Sequence, residues 1–244
     1  MKEFPNRKIL PFIVLMLIYQ FLLAVLVAVY GYEGSFMLLN GLHRDWLDVP
    51  MFLITHLGDA LILTSLLGLI LIRKRPELII MLILIVIITG LFGQLLKNTL
   101  FDSWDRPLSV FGSGGGVHTV YNYLLYQNSF PSGHSITVAA AFTTLAMVLK
   151  PNRWIMVLFA LVTALVSYTR IYVGAHFAGD VLAGTILGVA GAMFLTVWLY
   201  PAISRWIENF NPIKLKRLKS GLFIMAVIGL TGGILMMSEY FGHL

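Results

Sequence analysis

The chain has 244 residues, 59% of them hydrophobic, 11% charged and none of them cysteine; an ordinary soluble domain has about 45–50% apolar and about 25% charged residues. That composition, with a mean hydropathy of +0.88, excludes a soluble globule, a disordered chain and a secreted disulfide scaffold, and the lack of cysteine excludes thiol catalysis and thiolate metal sites. The net charge of +6 is not that of a nucleic-acid binder, because its distribution follows a membrane topology.

A helix needs about 20 apolar residues to cross a bilayer core of about 30 Å. Seven stretches qualify: 9–30, 52–72, 78–96, 134–149, 154–174, 180–200 and 221–240. The first follows a basic start but has no small-residue cleavage site, so it reads as a retained span rather than a signal peptide. The fourth and fifth are short or polar at one end. The connections at 73–77 and 150–153 are tight, which makes their flanking helices antiparallel neighbours. The expected fold is all-α: one polytopic transmembrane bundle over 1–244.

Basic residues mark the cytoplasmic side of a membrane protein. With the N-terminus inside, the inner face collects Lys2, Arg7, Lys8, Arg73, Lys74, Arg75, Lys150, Arg153, Arg205, Lys214, Lys216, Arg217 and Lys219. The outer face keeps only Arg44, Lys97, Arg106 and Arg170. The basic run at 214–219 then reads as a topology and lipid-headgroup signal. All six histidines, His43, His56, His118, His134, His176 and His243, fall at outer loops or outer helix ends. Polar groups at membrane depth are expensive and usually functional, so the outer side is where chemistry is expected.

Three segments converge there. Lys97 to Pro107 (KNTLFDSWDRP) leaves the third span, Ser129 to Ser135 (SFPSGHS) enters the fourth, and Thr169 to Asp180 (TRIYVGAHFAGD) links the fifth to the sixth. Lys97, Arg106 and Arg170 suit a tetrahedral oxyanion such as phosphate. Lys97 otherwise snorkels to the interface, and Arg106 otherwise pairs with Asp102 or Asp105. Backbone N–H groups at the helix start after Pro131 bind anions. Gly133 admits a close approach, and Ser132 caps that helix or donates to a phosphate oxygen. His176 and Asp180 are four residues apart and share a face if that stretch is helical; Asp180 would then fix the tautomer of His176 and free its second nitrogen as a nucleophile. His134 remains to protonate a leaving oxygen.

The three segments resemble, in order, the signature motifs of the type-2 phosphatidic acid phosphatase family. These are membrane lipid phosphate phosphatases, in a superfamily with acid phosphatases and vanadium haloperoxidases. The pattern is Lys…Arg-Pro, then Pro-Ser-Gly-His, then Ser-Arg-x5-His-x3-Asp, and the resemblance covers about 52–200. It implies that His176 attacks phosphorus to form a phosphohistidine, that Asp180 orients it, and that His134 protonates the departing group. Lys97, Arg106, Arg170, Ser132 and the Gly133 backbone would hold the phosphate oxygens. It also implies metal-independent hydrolysis with no cofactor. Two departures stand out: eight residues separate Lys97 from Arg106 where the family has six, and Thr169 replaces the serine before Arg170. The family has six core spans, so the stretch 221–240 is an addition.

Two accessory candidates lie outside the motifs. Asp59 either pairs with a site cation or His56, or sits at the interface. His118 lies in the outer loop 108–128 with Tyr121, Tyr123, Tyr126 and the run from Gly112 to Gly116. That loop is either a lid or headgroup reader or an interfacial aromatic anchor. His43, Arg44, Asp45 and Asp48 read as a solvated interfacial loop. The expected activity is hydrolysis of a lipid phosphomonoester or diphosphate at the outer leaflet of a plasma or bacterial inner membrane, with the site facing the exterior or periplasm. Phosphatidylglycerol phosphate, undecaprenyl diphosphate, phosphatidic acid and lipid A phosphates are all candidate substrates. The expected partners are that lipid and the surrounding membrane lipids. A lipid-to-lipid phosphotransferase would use the same residues, and a non-catalytic lipid transporter the same fold. The superfamily's haloperoxidases are soluble, which this chain is not.

Overall fold

Apolar runs of this length become helices because backbone in lipid must satisfy its own N–H and C=O groups. A computed structural model of the chain describes residues 7–112, 114–121 and 123–240. Lys2, Glu3, Ser113 and His243 lie outside the described residues. Every regular element among the described residues is helical: α1 (Leu10–Asn40), α2 (Asp45–Thr55), α3 (Ala60–Leu71), α4 (Pro76–Thr99), α5 (Pro107–Phe111), α6 (Gly133–Leu149), α7 (Arg153–Tyr172), α8 (Ala178–Glu208) and α9 (Pro212–Ser238).

All seven predicted stretches are helical, but two are not single straight rods. The helix of the first runs on past its predicted end at 30, across a break at Gly31, whose φ of 72° suits a residue without Cβ. Helix resumes and carries Tyr32, Phe36 and Asn40 toward the functional end. The second is bent by 77° between the His56–Gly58 turn and α3. Asp59 sets that bend: its backbone is extended, and its Oδ1 accepts from the N–H groups of Leu61 at 2.8 Å and Ile62 at 3.2 Å. This is N-capping of α3. The carboxylate thus caps a helix end, a role not expected for it, while its charge also acts on His56, as one of the two expectations had it.

Five helices, α1, α4, α7, α8 and α9, are long and apolar enough to cross a membrane, and α2 with α3 makes a sixth if the bent pair is one span. The 17 residues of α6 reach only about 25 Å. This helix occupies the interior, packed against α4, α7 and α8, and Val138, Ala139, Ala140, Ala141 and Ala146 are all buried. Small residues let its neighbours approach closely. A Cβ on Gly184 would lie 2.6 Å from the Ser132 carbonyl oxygen, and one on Gly188 2.5 Å from that of Ile136. The α6–α8 seam therefore fixes the second segment against the third.

Around this centre α1 runs along α7 and α8, and α9 runs along α3. The outward faces stay apolar: Phe21, Ile70, Leu91 and Ile228 are each about two-thirds exposed or more. That is a lipid-facing surface. Helix direction then sorts the two ends of the bundle. The end of α4, the start of α6, the end of α7 and the start of α8 share one end. The basic turns at 72–75 and 150–152 lie at the other, where Lys219 of α9 donates to the Arg73 carbonyl at 2.8 Å.

The seam gives a stability prediction. Gly188→Val forces its side chain onto the α6 backbone and should cost about 1–3 kcal/mol, read as a lower melting temperature in detergent. Gly221→Ala in α9, where an added Cβ meets nothing within 4 Å, should leave it unchanged or raise it. Equal effects at the two positions would contradict close α6–α8 packing.

Candidate active site

The site begins with a buried carboxylate. Asp180, on the first turn of α8, has no exposed surface and collects four donors. Its Oδ1 accepts from the Tyr32 hydroxyl. Its Oδ2 accepts from the Ser129 hydroxyl at 2.5 Å, the Phe177 N–H at 2.9 Å and His176 Nδ1 at 3.3 Å. These partners come from the segment after the Gly31 break, the loop before α6, and the turn before α8.

The His176 tautomer follows from its two neighbours. An ionised carboxylate only accepts and a guanidinium only donates. With Asp180 on Nδ1 and Arg106 Nη1 3.3 Å from Nε2, the neutral ring carries its proton on Nδ1. The Nε2 lone pair then faces the cations. Burial first, then the charges of Arg106, Arg170 and Lys97, hold the His176 imidazole well below its usual pKa, so at neutral pH it is uncharged.

Arg106 is held by carbonyls rather than by acids. Its Nε donates to Gln127 O at 2.6 Å, Nη2 to Asn128 O at 3.3 Å and Nη1 to Ala175 O at 3.0 Å. Its backbone N–H donates to Tyr126 O. The salt bridge to Asp102 or Asp105 that the sequence allowed is not formed. The longer spacing from Lys97 is taken up by a turn, in which Phe101 N–H donates to Leu96 O and Trp104 N–H to Phe101 O. Lys97 ends up on the last turn of α4, buried, within electrostatic reach of Arg106, Asp180 and Arg170.

Arg170, at the end of α7, is 1% exposed. Its Nη1 donates to Thr55 Oγ1 at 2.7 Å and Nη2 to the Tyr123 hydroxyl at 3.0 Å, and its guanidinium lies 5.0 Å from the Tyr123 ring centroid. A cation over an aromatic face is favourable and leaves the charge uncancelled. Ser132 caps α6, its Oγ accepting from Ser135 N–H at 3.4 Å and Ser135 Oγ at 2.9 Å. A Cβ on Gly133 would meet nothing within 4 Å, so open space lies beside this anion-binding helix start. His134 follows, within reach of the charges of Arg170, His56, Arg106 and Lys97.

The structure thus brings together Lys97, Arg106, Ser132, Gly133, His134, Arg170, His176 and Asp180. His118 is tied elsewhere. Its Nε2 lies 2.9 Å from Asp48 Oδ1, and its ring stacks on His43 at 4.0 Å. Asn40 clamps its backbone, accepting from the His118 N–H and donating to the carbonyls of His118, Ile171 and Tyr172. The loop is fastened to the end of α7 as a wall. The presumed solvated residues His43, Arg44 and Asp48 belong to that fastening, with the Tyr172 hydroxyl donating to Asp48 Oδ1 at 2.7 Å. Tyr32 and Thr55 are site-supporting residues outside the sequence-derived set, and Tyr123, singled out there only as a loop aromatic, supports Arg170. Only the Gly31 break, with a polar stretch behind it, signals one of them.

The chain is similar to several known proteins. Lipid A 4'-phosphatase of Porphyromonas gingivalis is 27% identical over 216 residues, covering 85% of this chain and 91% of that protein. Undecaprenyl-diphosphatase of Sulfolobus acidocaldarius is 40% identical over 86 residues, a match spanning 35% of this chain and only 36% of that relative. The crystal structure of Aquifex aeolicus LpxE superposes with a TM-score of 0.61 at 27% identity, covering 68% of this chain and 95% of that one. The sequence model of the PAP2 superfamily matches residues 78–204, a stretch that holds all three segments and more than half of the chain, and the protein belongs to that family.

Proposed function

We propose that this integral-membrane protein removes a phosphate from a lipid phosphomonoester or diphosphate at the outer leaflet, through a phosphohistidine and without a metal ion. The observation that carries the reading is the orientation of His176, with Nδ1 on Asp180 and Nε2 beside Arg106. In the first step the Nε2 lone pair attacks phosphorus, the bond to the leaving oxygen breaks, and His134, protonated with the anionic substrate bound, gives that oxygen its proton. In the second step His134 takes a proton from water as the water oxygen attacks phosphorus, and the P–N bond breaks to release phosphate. Lys97, Arg106, Arg170 and the α6 N-terminus neutralise charge on the transferring phosphoryl throughout.

The contrast between the two ends of the bundle supports one orientation in the membrane. The basic turns lie opposite the site, and the positive end of a membrane protein is cytoplasmic. The reading therefore has the N-terminus inside, seven helical passages, and a site facing the exterior or periplasm of a plasma or bacterial inner membrane. Within one domain spanning 1–244, the lipid tails lie against the exposed apolar helix faces while the phosphate enters the cationic cluster. The named activities of the relatives, on undecaprenyl diphosphate and lipid A, support a lipid phosphate as the substrate class.

Two measurements check this. The first is phosphate release by purified protein in detergent, with EDTA, from phosphatidylglycerol phosphate, undecaprenyl diphosphate, phosphatidic acid and lipid A. Release from at least one lipid should persist in EDTA and fall at least about a thousandfold in His176→Ala. Release that needs an added divalent ion, or that survives the substitution, would overturn the mechanism. The second is NMR titration of ring-labelled histidine. The resonance lost in His176→Asn should titrate well below pH 6.5, since both burial and the cations disfavour the charged ring. The same shift makes the folded protein resist protonation that the unfolded chain accepts, so stability should decline as pH falls below about 6.5. A His176 resonance titrating at or above 6.5 would contradict the site's electrostatics.

A further inference from the structure

The turn between α2 and α3 lies outside the three motif segments and still enters the site at several points. Thr55 holds Arg170 Nη1. Gly58 lies against His134: a Cβ there would be 2.8 Å from His134 Cβ and 3.0 Å from its Cδ2. Between them sits His56, 7% exposed and within electrostatic reach of both Arg170 and His134.

The surroundings of His56 are aromatic. Its ring centroid is 4.9 Å from that of Phe52, 6.2 Å from Tyr123 and 6.1 Å from Tyr240, just beyond α9. Its Nε2 is buried with no hydrogen-bond partner among the described residues, and the same holds for Nε of Arg170. Buried polar atoms are nearly always paired. A hydrocarbon tail carries nothing that could pair with them. Two unpartnered nitrogens, on residues within electrostatic reach of each other and of the histidine assigned to the leaving group, fit a leaving group with oxygens of its own.

We propose that His56 is a specificity residue: its Nε2–H donates to a phosphoryl oxygen of the leaving group, so that the enzyme favours a lipid diphosphate over a lipid monophosphate. This rests on the phosphatase reading above. In a diphosphate the bond broken is between the terminal phosphorus and the bridging oxygen. The leaving group is then a lipid monophosphate, whose remaining oxygens reach His56 and Arg170 Nε. In a monophosphate the leaving group is a bare alcohol, and His56 stays unpaired. The aromatic cage also gives α9 a place in the site, because Tyr240 closes the cage against Tyr123 at 4.6 Å.

The test compares kcat/KM for farnesyl diphosphate and farnesyl monophosphate, which share a tail and differ only in the leaving group. The ratio of the two should fall at least about tenfold in His56→Phe, because a site built to bind a polar group discriminates strongly against its absence. His56→Gln, which keeps an N–H donor, should recover part of the ratio, and if melting temperatures show the phenylalanine variant misfolded, His56→Leu takes its place with the same threshold. A smaller change in the ratio overturns the proposal. That includes the case in which both activities fall together, as a purely structural role requires, and a wild type with no preference for the diphosphate. Failure of the underlying phosphatase reading has a different signature, in which His176→Ala retains hydrolysis of both lipids.

Discussion

A fully buried carboxylate must be saturated with donors or it destabilises the fold that buries it. Asp180 meets that demand by drawing on Tyr32, Ser129, Phe177 and His176. The four donors lie on three separate stretches of chain, so satisfying one side chain registers α1, the entry to α6, and the turn into α8. The backbone adds to the same knot, since Ser132 N–H donates to the Asp180 carbonyl at 3.1 Å. The close glycine contacts of the α6–α8 seam then hold that register along the bundle. The orientation of His176 is a by-product of this packing. Its Nδ1 is claimed by the carboxylate, and its Nε2 is left for chemistry.

The cations are arranged on the opposite principle. Arg106 spends its donors on carbonyls, and Arg170 on two hydroxyls and an aromatic face. Neutral partners fix geometry without cancelling charge. Lys97, Arg106 and Arg170 therefore repel one another, and Asp180 partly offsets Lys97 and Arg106. Such a cluster is poor for stability and well suited to a polyanion, whose arrival relieves the repulsion. Donors positioned in advance also need no reorganisation when charge moves in the transition state. The apolar surroundings that make the cluster costly strengthen its hold on phosphate.

Much of this was legible in the sequence, for identifiable reasons. Long apolar runs can only be helices in lipid, so the seven stretches were readable. The three motif segments bring their chemistry on residue types rare at membrane depth. What was not legible is what tertiary placement recruits. Thr55 and Tyr123 are ordinary residues in apolar or loop sequence, and nothing local shows that both meet Arg170. Tyr32 reaches Asp180 only because Gly31 takes a positive φ, which a glycine permits but does not announce. Asp59 stood out as a charge in an apolar run. Its capping role needed the 77° bend, which the hydropathy pattern smooths over. The loop 108–128 offered flexible glycines and histidine as signs of a lid, whereas Asn40 and Asp48, distant in sequence, fasten it down.

The central claim is covalent catalysis by His176. The most direct measurement is to mix enzyme with substrate, quench in alkali within a single turnover, where phosphohistidine survives, and locate the phosphate by peptide mass spectrometry. The account predicts phosphate on His176, formed and consumed at rates consistent with turnover, and its loss in Asp180→Asn in proportion to activity. Phosphate on another residue, or turnover with no phosphoenzyme at any quench time, would contradict it.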